Sequence, residues 1–191
     1  MRMLTTLILA LCISAFVSPT ASAQSPEEMQ KWMEAMTPSD VHKMMAEWDG
    51  IWQEDIKMWM APGTPEQTMK ATVECKMILG GRYQEQKHSG SMMGMPFEGY
   101  SLTGWDNSRK VFSSTWMDNM STGMMYMEGS WDAATKSMTL KGKMTDPMSG
   151  KQIDIRQVLY ITSKDTQKLE QYSTVDGKEF KSMEIVLSKM K

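Results

Sequence analysis

Residues 94–132 constrain the fold of this chain more than any other stretch, because three runs of strand-forming residues follow one another there, separated by short polar turns. Asp106, Asn107 and Ser108 form the first turn, and residues 119–123 form the second. Asn, Asp and Ser favour tight turns since their side chains hydrogen-bond the local backbone. The three runs contain Tyr100, Leu102 and Trp105, then Val111, Phe112, Thr115 and Trp116, then Met125, Tyr126 and Trp131. The stretch therefore predicts three consecutive antiparallel strands.

The same alternation of apolar and polar residues continues from residue 51 almost to the C-terminus. It predicts strands at 51–59, 68–79, 83–89, 97–105, 110–117, 123–131, 137–144, 153–162, 168–174 and 179–187. No helical pattern interrupts them, so the connections are hairpins and the sheet is antiparallel. Such a sheet has to close or fold on itself to protect its edges. We therefore predict a mainly β protein, a single antiparallel up-and-down β-barrel of about ten strands.

Two short N-terminal α-helices are predicted before the barrel, within residues 24–49. Ser25, Pro26 and Glu28 have the spacing of a helix cap with a capping box, and Thr37 with Pro38 starts a second helix by the same logic. Apolar residues recur at helical spacing in both segments, at Met29, Trp32, Met33 and Met36 and then at Val41, Met44, Met45 and Trp48. Such stripes are typical of helices that cover a core, here one end of the barrel. The first stripe also suits a membrane or partner surface.

Residues 1–23 have the features of a cleaved signal peptide. Arg2 supplies a positive charge, residues 4–17 are uncharged, and Ala21 and Ala23 form a small-x-small cleavage motif. An uncleaved transmembrane anchor is the alternative, but spanning a bilayer takes ~20 apolar residues and this run is shorter. We predict cleavage between Ala23 and Gln24, a periplasmic or extracellular location, and no integral membrane span in the mature chain. The barrel domain then occupies residues 50–191.

Charge and cysteine content limit the function of the mature chain. Without Arg2 it carries 20 Lys and Arg against 23 Asp and Glu, and the lysines are scattered along the strands. Nucleic-acid binding needs clustered basic residues, so we expect no nucleic-acid partner. Cys75 is the one cysteine after residue 23, which leaves no intrachain disulfide. Alternation within residues 68–79 turns Cys75 inward, as a buried and unreactive thiol.

Residues 99–124, GYSLTGWDNSRKVFSSTWMDNMSTGM, resemble the signature of the bacterial domain of unknown function 1579 family. In that signature a G-[YW]-D-N turn precedes a strand ending in W-x-D and then an M-S-T-G turn. Further matching motifs follow in order over roughly residues 40 to 190, at Gly50-Ile51-Trp52, Leu79-Gly80-Gly81-Arg82, Pro96-Phe97-Glu98-Gly99, Asp146-Pro147 and Gly150-Lys151. The chain departs at Ser188-Lys189, where the family has Tyr or Thr followed by Arg. The resemblance implies an exported, calycin-like or lipocalin-like barrel and carries over no catalytic residue.

The resemblance also suggests which side chains face the barrel interior. Gly50-Ile51-Trp52 is similar to the G-x-W of lipocalins, whose Trp packs at the closed end of the barrel, and this turns Trp52 and Glu54 inward. Alternation within residues 153–162 turns Gln157 inward. Buried polar side chains need partners, which are a ligand, each other, the backbone or a trapped water. We predict a non-enzymatic binding module for a small apolar or amphipathic molecule, held against Trp52, Glu54 and Gln157.

Methionine enrichment opens a second hypothesis, because 22 of the 24 methionines lie after residue 23. Thioethers bind Cu(I), and Met92, Met93 and Met95 lie together in a loop. The alternative function is therefore a periplasmic protein that binds copper or buffers oxidants through methionine. Methionine also fills cores in place of Leu and Ile, and this is the interpretation we prefer.

The sequence gives little support for a cofactor or an enzymatic activity. The chain has two histidines, His42 and His88, and no nucleophile elbow, H-E-x-x-H or phosphate-loop motif. His88 allows haem binding as a further alternative, by resemblance to the nitrobindin group, although a lone histidine at a strand end is usually a surface residue. An enzyme would need a polar cluster in the cavity, such as Glu54 with Gln157 and a Ser or Tyr. We expect no cofactor, and the sequence predicts neither the identity of the ligand nor the oligomeric state.

Overall fold

A computed structural model describes residues 25–191, so the predicted signal peptide and its cleavage site lie outside the described residues. The elements are α1 (Pro26–Met36), α2 (Asp40–Ala46), β1 (Gly50–Met58), β2 (Gln67–Ile78), β3 (Tyr83–Met92), β4 (Met95–Asp106), β5 (Val111–Asp118), β6 (Met125–Asp132), β7 (Ser137–Thr145), β8 (Gln152–Ser163), β9 (Thr166–Val175) and β10 (Lys178–Lys189). The predicted two helices followed by strands are confirmed. The second helix begins after Ser39, slightly later than the sequence suggested.

Each strand pairs with its sequence neighbours, and β1 also pairs with β10, so the sheet closes into an antiparallel barrel. The closing register runs from Trp52 opposite Lys189 to Met58 opposite Met183. The predicted up-and-down barrel is therefore confirmed. We call the end that holds α2 and the start of β1 the α2 end. The opposite end, formed by the β1–β2, β3–β4, β5–β6, β7–β8 and β9–β10 connections, is the loop end.

Local turn chemistry explains why the chain reverses where it does. Oδ1 of Asp106 accepts hydrogen bonds from the backbone N–H groups of Ser108 and Arg109, at 2.7 and 3.0 Å. This is the first turn predicted from the sequence. The β3–β4 connection is only Met93 and Gly94, whose φ angles are 52° and 79°. Two positive φ angles are what a type I′ hairpin turn needs, and its twist matches that of the flanking strands.

Helix α2 covers one end of the barrel, as its apolar stripe predicts. Met45 is fully buried, and Trp48, just after the helix, is 5% exposed. Trp52 lies beneath Trp48 in the barrel. The Nε1 of Trp52 donates a hydrogen bond to the carbonyl oxygen of Trp48 at 2.9 Å. The inward position predicted for Trp52 at the closed end of the barrel is therefore confirmed.

Helix α1 covers no part of the core, and the prediction that it does so is wrong. None of its residues is buried. Its apolar stripe, Met29, Trp32, Met33 and Met36, is between 40 and 58% exposed. The helix touches the barrel through its backbone instead, since the side-chain amide of Asn107 donates hydrogen bonds to the carbonyl oxygens of Glu34 and Thr37. Within residues 25–191, neither helix has the length and hydrophobicity needed to cross a membrane.

The barrel interior contains two apolar clusters. The first is formed by side chains at α2 and in the strands beneath it, and it contains Met45, Trp48, Phe112, Met125, Met127, Met138, Leu140, Ile155 and Leu159. The second lines β1, β2 and β10 and contains Trp52, Ile56, Ala71, Val73, Cys75, Ile185 and Leu187. Polar groups are buried among them: His42, Glu54, Gln84, Ser101, Thr103, Ser114, Ser137, Gln167 and Ser173. Since burying a polar group without a partner is costly, the partners of these groups locate the candidate site.

Candidate functional site in the barrel interior

The pair formed by Glu54 and His88 is the centre of the candidate site. Glu54 points inward from β1 and His88 points inward from β3, and β2 lies between these two strands. Oε2 of Glu54 lies 3.0 Å from Nδ1 of His88. The two side chains are only 2% and 10% exposed. A carboxylate and an imidazole are therefore in contact inside the barrel and almost fully shielded from water.

The tautomer of His88 depends on the protonation of the pair. With Glu54 ionised and His88 neutral, the carboxylate only accepts hydrogen bonds, so Nδ1 of His88 is the donor in this contact. In the neutral ring Nε2 is then a bare acceptor. Nε2 of His88 is buried and has no hydrogen-bond partner among the described residues. A buried, unmet acceptor of this kind costs about 1–3 kcal/mol, which a suitable ligand or a water would recover.

Trp116 closes the space beside the imidazole of His88. The two rings meet edge to face, with 4.9 Å between centroids and 71° between planes. Nε1 of Trp116 donates a hydrogen bond to Oδ2 of Asp118 at 2.8 Å. Gly99 leaves the room that the indole takes, since a Cβ there would lie 2.6 Å from Cη2 of Trp116. Gly90, the next inward position after His88 on β3, adds no side chain to this space.

Gln157 lies at the barrel interior as predicted, but it has a partner of its own. Its Nε2 donates a hydrogen bond to Oε1 of Gln171 at 2.8 Å. Ser173 and Ser182 continue this polar group, with a hydroxyl–hydroxyl distance of 2.7 Å. Gln157 is therefore satisfied within β8, β9 and β10, whereas Glu54 joins His88. The structure does not bring the two predicted polar anchors together.

Cys75 lies inward in the same part of the barrel, which confirms the position predicted for it. Burial raises the pKa of the Cys75 thiol to about 12, and the negative charge of Glu54 adds to the shift. The thiolate is the reactive form of cysteine. Cys75 is therefore a packing residue at neutral pH.

The barrel interior contains a buried acidic side chain and no buried lysine or arginine among the described residues. The acidic side chain is Glu54, which is 1% exposed. Lys189 is half-buried, and its Nζ donates a hydrogen bond to the carbonyl oxygen of Glu47 at 3.1 Å, with 5.3 Å to the ring centre of Trp52. A molecule in contact with His88 therefore meets a carboxylate and no buried cation.

The surroundings of His88 bear on the metal and haem hypotheses in different ways. Within the described part of the chain, no three His, Cys, Asp or Glu side chains cluster closely enough to hold a metal ion. Nε2 of His88, the atom that would bind haem iron, is buried. The edge of Trp116 packs on the same ring. Haem iron would reach Nε2 only if Trp116 moved, so haem binding stays an untested hypothesis.

Some methionines are buried in the core, others are exposed, and several are half-buried. Met45, Met125, Met127 and Met138 are at most 7% exposed. At the loop end, Met60, Met93, Met95, Met120, Met124 and Met148 are between 37 and 93% exposed. We call these six residues the methionine rim. Met92 and Met95 face each other across the β3–β4 turn, and Met93 at its tip is 78% exposed, so copper binding by this trio stays an untested hypothesis.

A groove of about 460 Å³ lies elsewhere, on the outer surface of β1, β2 and β10. Asp55, Lys57 and Lys70 are among its lining residues. These charges are already paired, since Lys70 lies 2.7 Å from Asp55 and Lys57 lies 3.3 Å from Glu66. The groove thus lacks the unpartnered buried atom that distinguishes the Glu54–His88 pair, and we do not assign a function to it.

Sequence reasoning missed His88 as a partner of Glu54 and treated it as a surface residue or a haem ligand. The cause lies in β3, where Gln84, Glu85, Gln86, Lys87 and His88 are all polar, so no apolar alternation marks the inward face. The signal that would have found it is strand pairing. His88 lies opposite Val73, an inward residue of the strongly alternating β2.

Comparison with known proteins agrees with this architecture. Residues 37–189 match the family described as "Protein of unknown function (DUF1579)". The structure is similar to the crystal structure of Rv2717c from M. tuberculosis, with a TM-score of 0.60 and 11% sequence identity, covering 81% of this chain and 100% of that one. At this identity the likeness shows the fold alone. None of the curated proteins matches the chain.

Proposed function

Because the chain belongs to the DUF1579 family of proteins of unknown function, its role has to be argued from its own site, and we propose a non-enzymatic binding module. The proposed ligand is a small amphipathic molecule that lies in the barrel with its polar group at the Glu54–His88 pair. This keeps Trp52 and Glu54 from the sequence prediction and puts His88 in the place of Gln157.

The observation that carries the proposal is the unpartnered Nε2 of His88. An imidazole whose other nitrogen is fixed by a carboxylate has a defined orientation and presents one directional acceptor. Buried polar atoms of folded proteins nearly always have partners, and those that do not call for a functional explanation. A ligand group bound at this nitrogen supplies one.

The surroundings support a binding role over a catalytic one. Among the described residues, no serine or cysteine side chain hydrogen-bonds to His88, so no protein nucleophile of these types is paired with it. Apolar side chains of the second cluster, such as Ile56 and Ala71, lie beside the pair on β1 and β2. A few polar groups in an apolar cavity are typical of sites that bind small molecules.

Access to the site requires Trp116 to move. Its indole occupies the space over Gly99 next to His88, stacks on Phe97 with 6.4 Å between ring centroids, and donates one side-chain hydrogen bond, to Asp118. We expect the indole to swing aside as the ligand enters, and the Gly90 and Gly99 positions to receive the ligand's apolar part.

Two measurements test the proposal. Native mass spectrometry of the protein purified from its own cells should detect a retained small molecule. In parallel, N-phenyl-1-naphthylamine, an apolar fluorophore with an N–H group, should bind the protein with a fluorescence increase. Trp116→Ala should raise its affinity because the space beside His88 is then open.

The matched variants separate interior from surface binding. Glu54→Leu with His88→Leu removes both polar groups together and should lower the affinity for the probe by about tenfold. Glu128→Gln removes a carboxylate on the outer face of β6 and should leave probe binding unchanged. Equal binding by the double variant and the native protein would place the probe on the exposed α1 stripe or the methionine rim and overturn the proposal.

Oxidant buffering is a second candidate function, favoured by the methionine rim. We expect its exposed thioethers to oxidise to sulfoxides without disturbing the packing, whereas oxidation of the core methionines would place a polar group in the apolar clusters. Limited hydrogen peroxide followed by peptide mass mapping should show rim oxidation with an unchanged melting temperature. Oxidation of Met127 or Met138 at the same rate as the rim would argue against this candidate.

A further inference from the structure

The donor and acceptor pattern of the Glu54–His88 pair specifies the polar group of the ligand. We propose that the site selects a neutral group that donates a hydrogen bond, such as an alcohol or an amide N–H, over a carboxylate or a ketone. This inference rests on the proposed function, and it names the chemical class that the interior would take.

The first step is the protonation state of the pair, which we take as an ionised Glu54 and a neutral His88. Nδ1 then donates to the carboxylate across the 3.0 Å contact, and Nε2 has a lone pair and no hydrogen. Only a donor can satisfy that atom. A ketone oxygen would face the lone pair of Nε2, and neither acceptor would receive a hydrogen bond. The free-energy cost is large because both unsatisfied acceptors are buried.

The second step is the charge of the interior. A carboxylate ligand would lie close to the buried carboxylate of Glu54, and no buried lysine or arginine is found in the range 25–191 to offset the repulsion. To donate a hydrogen bond to such a ligand, His88 would have to take up a proton, and the site would still hold two anions and one cation. A neutral donor needs neither change.

The two histidines of the chain provide an internal comparison. Nδ1 of His42 accepts a hydrogen bond from the backbone N–H of Ser39 at 2.9 Å, so the hydrogen of that ring lies at Nε2. We expect the opposite tautomer for His88, with Nδ1 donating to Glu54. Long-range proton–nitrogen NMR correlations of the purified protein at pH 8 should therefore show one ring of each tautomer. Variants His42→Gln and His88→Gln assign them.

The selectivity is measured with three ligands of one chain length, 1-dodecanol, 2-dodecanone and dodecanoate, each displacing N-phenyl-1-naphthylamine. We expect the alcohol to bind at least about tenfold more tightly than the other two, the difference that one unmet buried acceptor produces. Glu54→Gln should reduce this preference, because an amide either accepts from or donates to Nδ1 and no longer fixes the tautomer. Glu128→Gln, which removes the same charge from the outer surface, should leave the preference intact.

The outcomes separate this inference from the proposed function. A probe that binds inside the barrel while dodecanoate or 2-dodecanone matches 1-dodecanol would overturn the inference and spare the binding module. A hydrogen at Nε2 of His88 in the NMR spectrum would overturn the inference whether or not any ligand binds. Absence of any interior binding, with the tautomer as assigned, would reject the proposed function.

Discussion

Glu54 and His88 join two strands that are not neighbours, since their side chains meet at 3.0 Å across the inner face of β2. The pair is thus a polar contact beside the second apolar cluster, and we expect its two members to be energetically coupled. His88→Leu should cost about 3–5 kcal/mol of unfolding free energy, because it leaves the carboxylate of Glu54 buried and unpaired. Glu54→Leu should cost less, about 1–3 kcal/mol, because it leaves only a neutral imidazole without its partner.

The double variant, Glu54→Leu with His88→Leu, checks the interpretation. Replacing both polar side chains with apolar ones of similar size should restore most of the lost stability, since no buried polar atom is then left without a hydrogen-bond partner. Urea denaturation of the native protein and the three variants gives the coupling free energy directly. Additive losses would contradict a direct interaction between the two side chains.

Gly129 should be among the least tolerant positions of the barrel. A Cβ at this residue would lie 1.8 Å from the carbonyl oxygen of Thr139 on the paired strand β7. Gly129→Ala should therefore force β6 and β7 apart and cost about 3 kcal/mol, the upper end of the usual range for overpacking. Gly123 is a matched control, because a Cβ there meets nothing within 4 Å, and Gly123→Ala should change stability by less than about 0.5 kcal/mol. Thermal unfolding of both variants decides, and equal melting temperatures would contradict the predicted clash.

Cys75 should resist thiol reagents for as long as the barrel is folded. Its pKa of about 12, which burial causes, leaves almost no thiolate at pH 8. In a Cys12→Ala background Cys75 is the only thiol of the chain, so alkylation by iodoacetamide reports on it alone. We expect slow modification in buffer and fast modification in urea. Fast modification of the folded protein would show that the barrel opens at β2.

The ion pair of Glu128 and Arg109 should make stability depend on acid pH. The hydrogen bonds from Arg109 and then Tyr126 lower the pKa of Glu128 from 4.5 to about 2. A carboxyl group with a depressed pKa in the folded state stabilises the protein fully above pH 4.5. That contribution is lost as the pH falls towards 2, because the unfolded chain binds the proton first.

Glu128→Gln should therefore flatten the decrease in melting temperature between pH 4.5 and pH 2. Arg109→Gln removes the main cause of the shift and should flatten the same range, while the double variant should add nothing further. If Arg109→Gln and the native protein had the same dependence of melting temperature on pH, groups other than Arg109 would be the cause of the lowered pKa of Glu128.

The fold was predictable because its signals are local and repeated. Alternation in β2, the Asp106 turn and the absence of any helical pattern after residue 50 each follow from one strand or one hairpin, and they agree with one another. The role of α1 was not predictable, since its stripe has the same spacing as that of α2. Only tertiary contacts decide that α2 covers the barrel and α1 does not.

Of the two residues of the candidate pair, only Glu54 could be predicted from the sequence. Glu54 interrupts an apolar inward row, which makes it visible in the sequence. Its partner His88 belongs to a strand that is polar at consecutive positions, so the inward face of that strand is defined only by its pairing with β2. Gln157 is also a polar break, but its partner, Gln171, lies on the next strand and satisfies it.

The pairing of β1 with β10 has a consequence for how the barrel forms. Trp52 on β1 pairs with Lys189 on β10, so the ring cannot close until nearly the whole domain is available. Contacts so distant along the chain raise the loss of chain entropy before closure and slow the folding of such topologies. Until then both β1 and β10 present unpaired edges that are able to pair with other chains. We expect refolding in the range of milliseconds to seconds or slower, and a yield that decreases as the protein concentration rises.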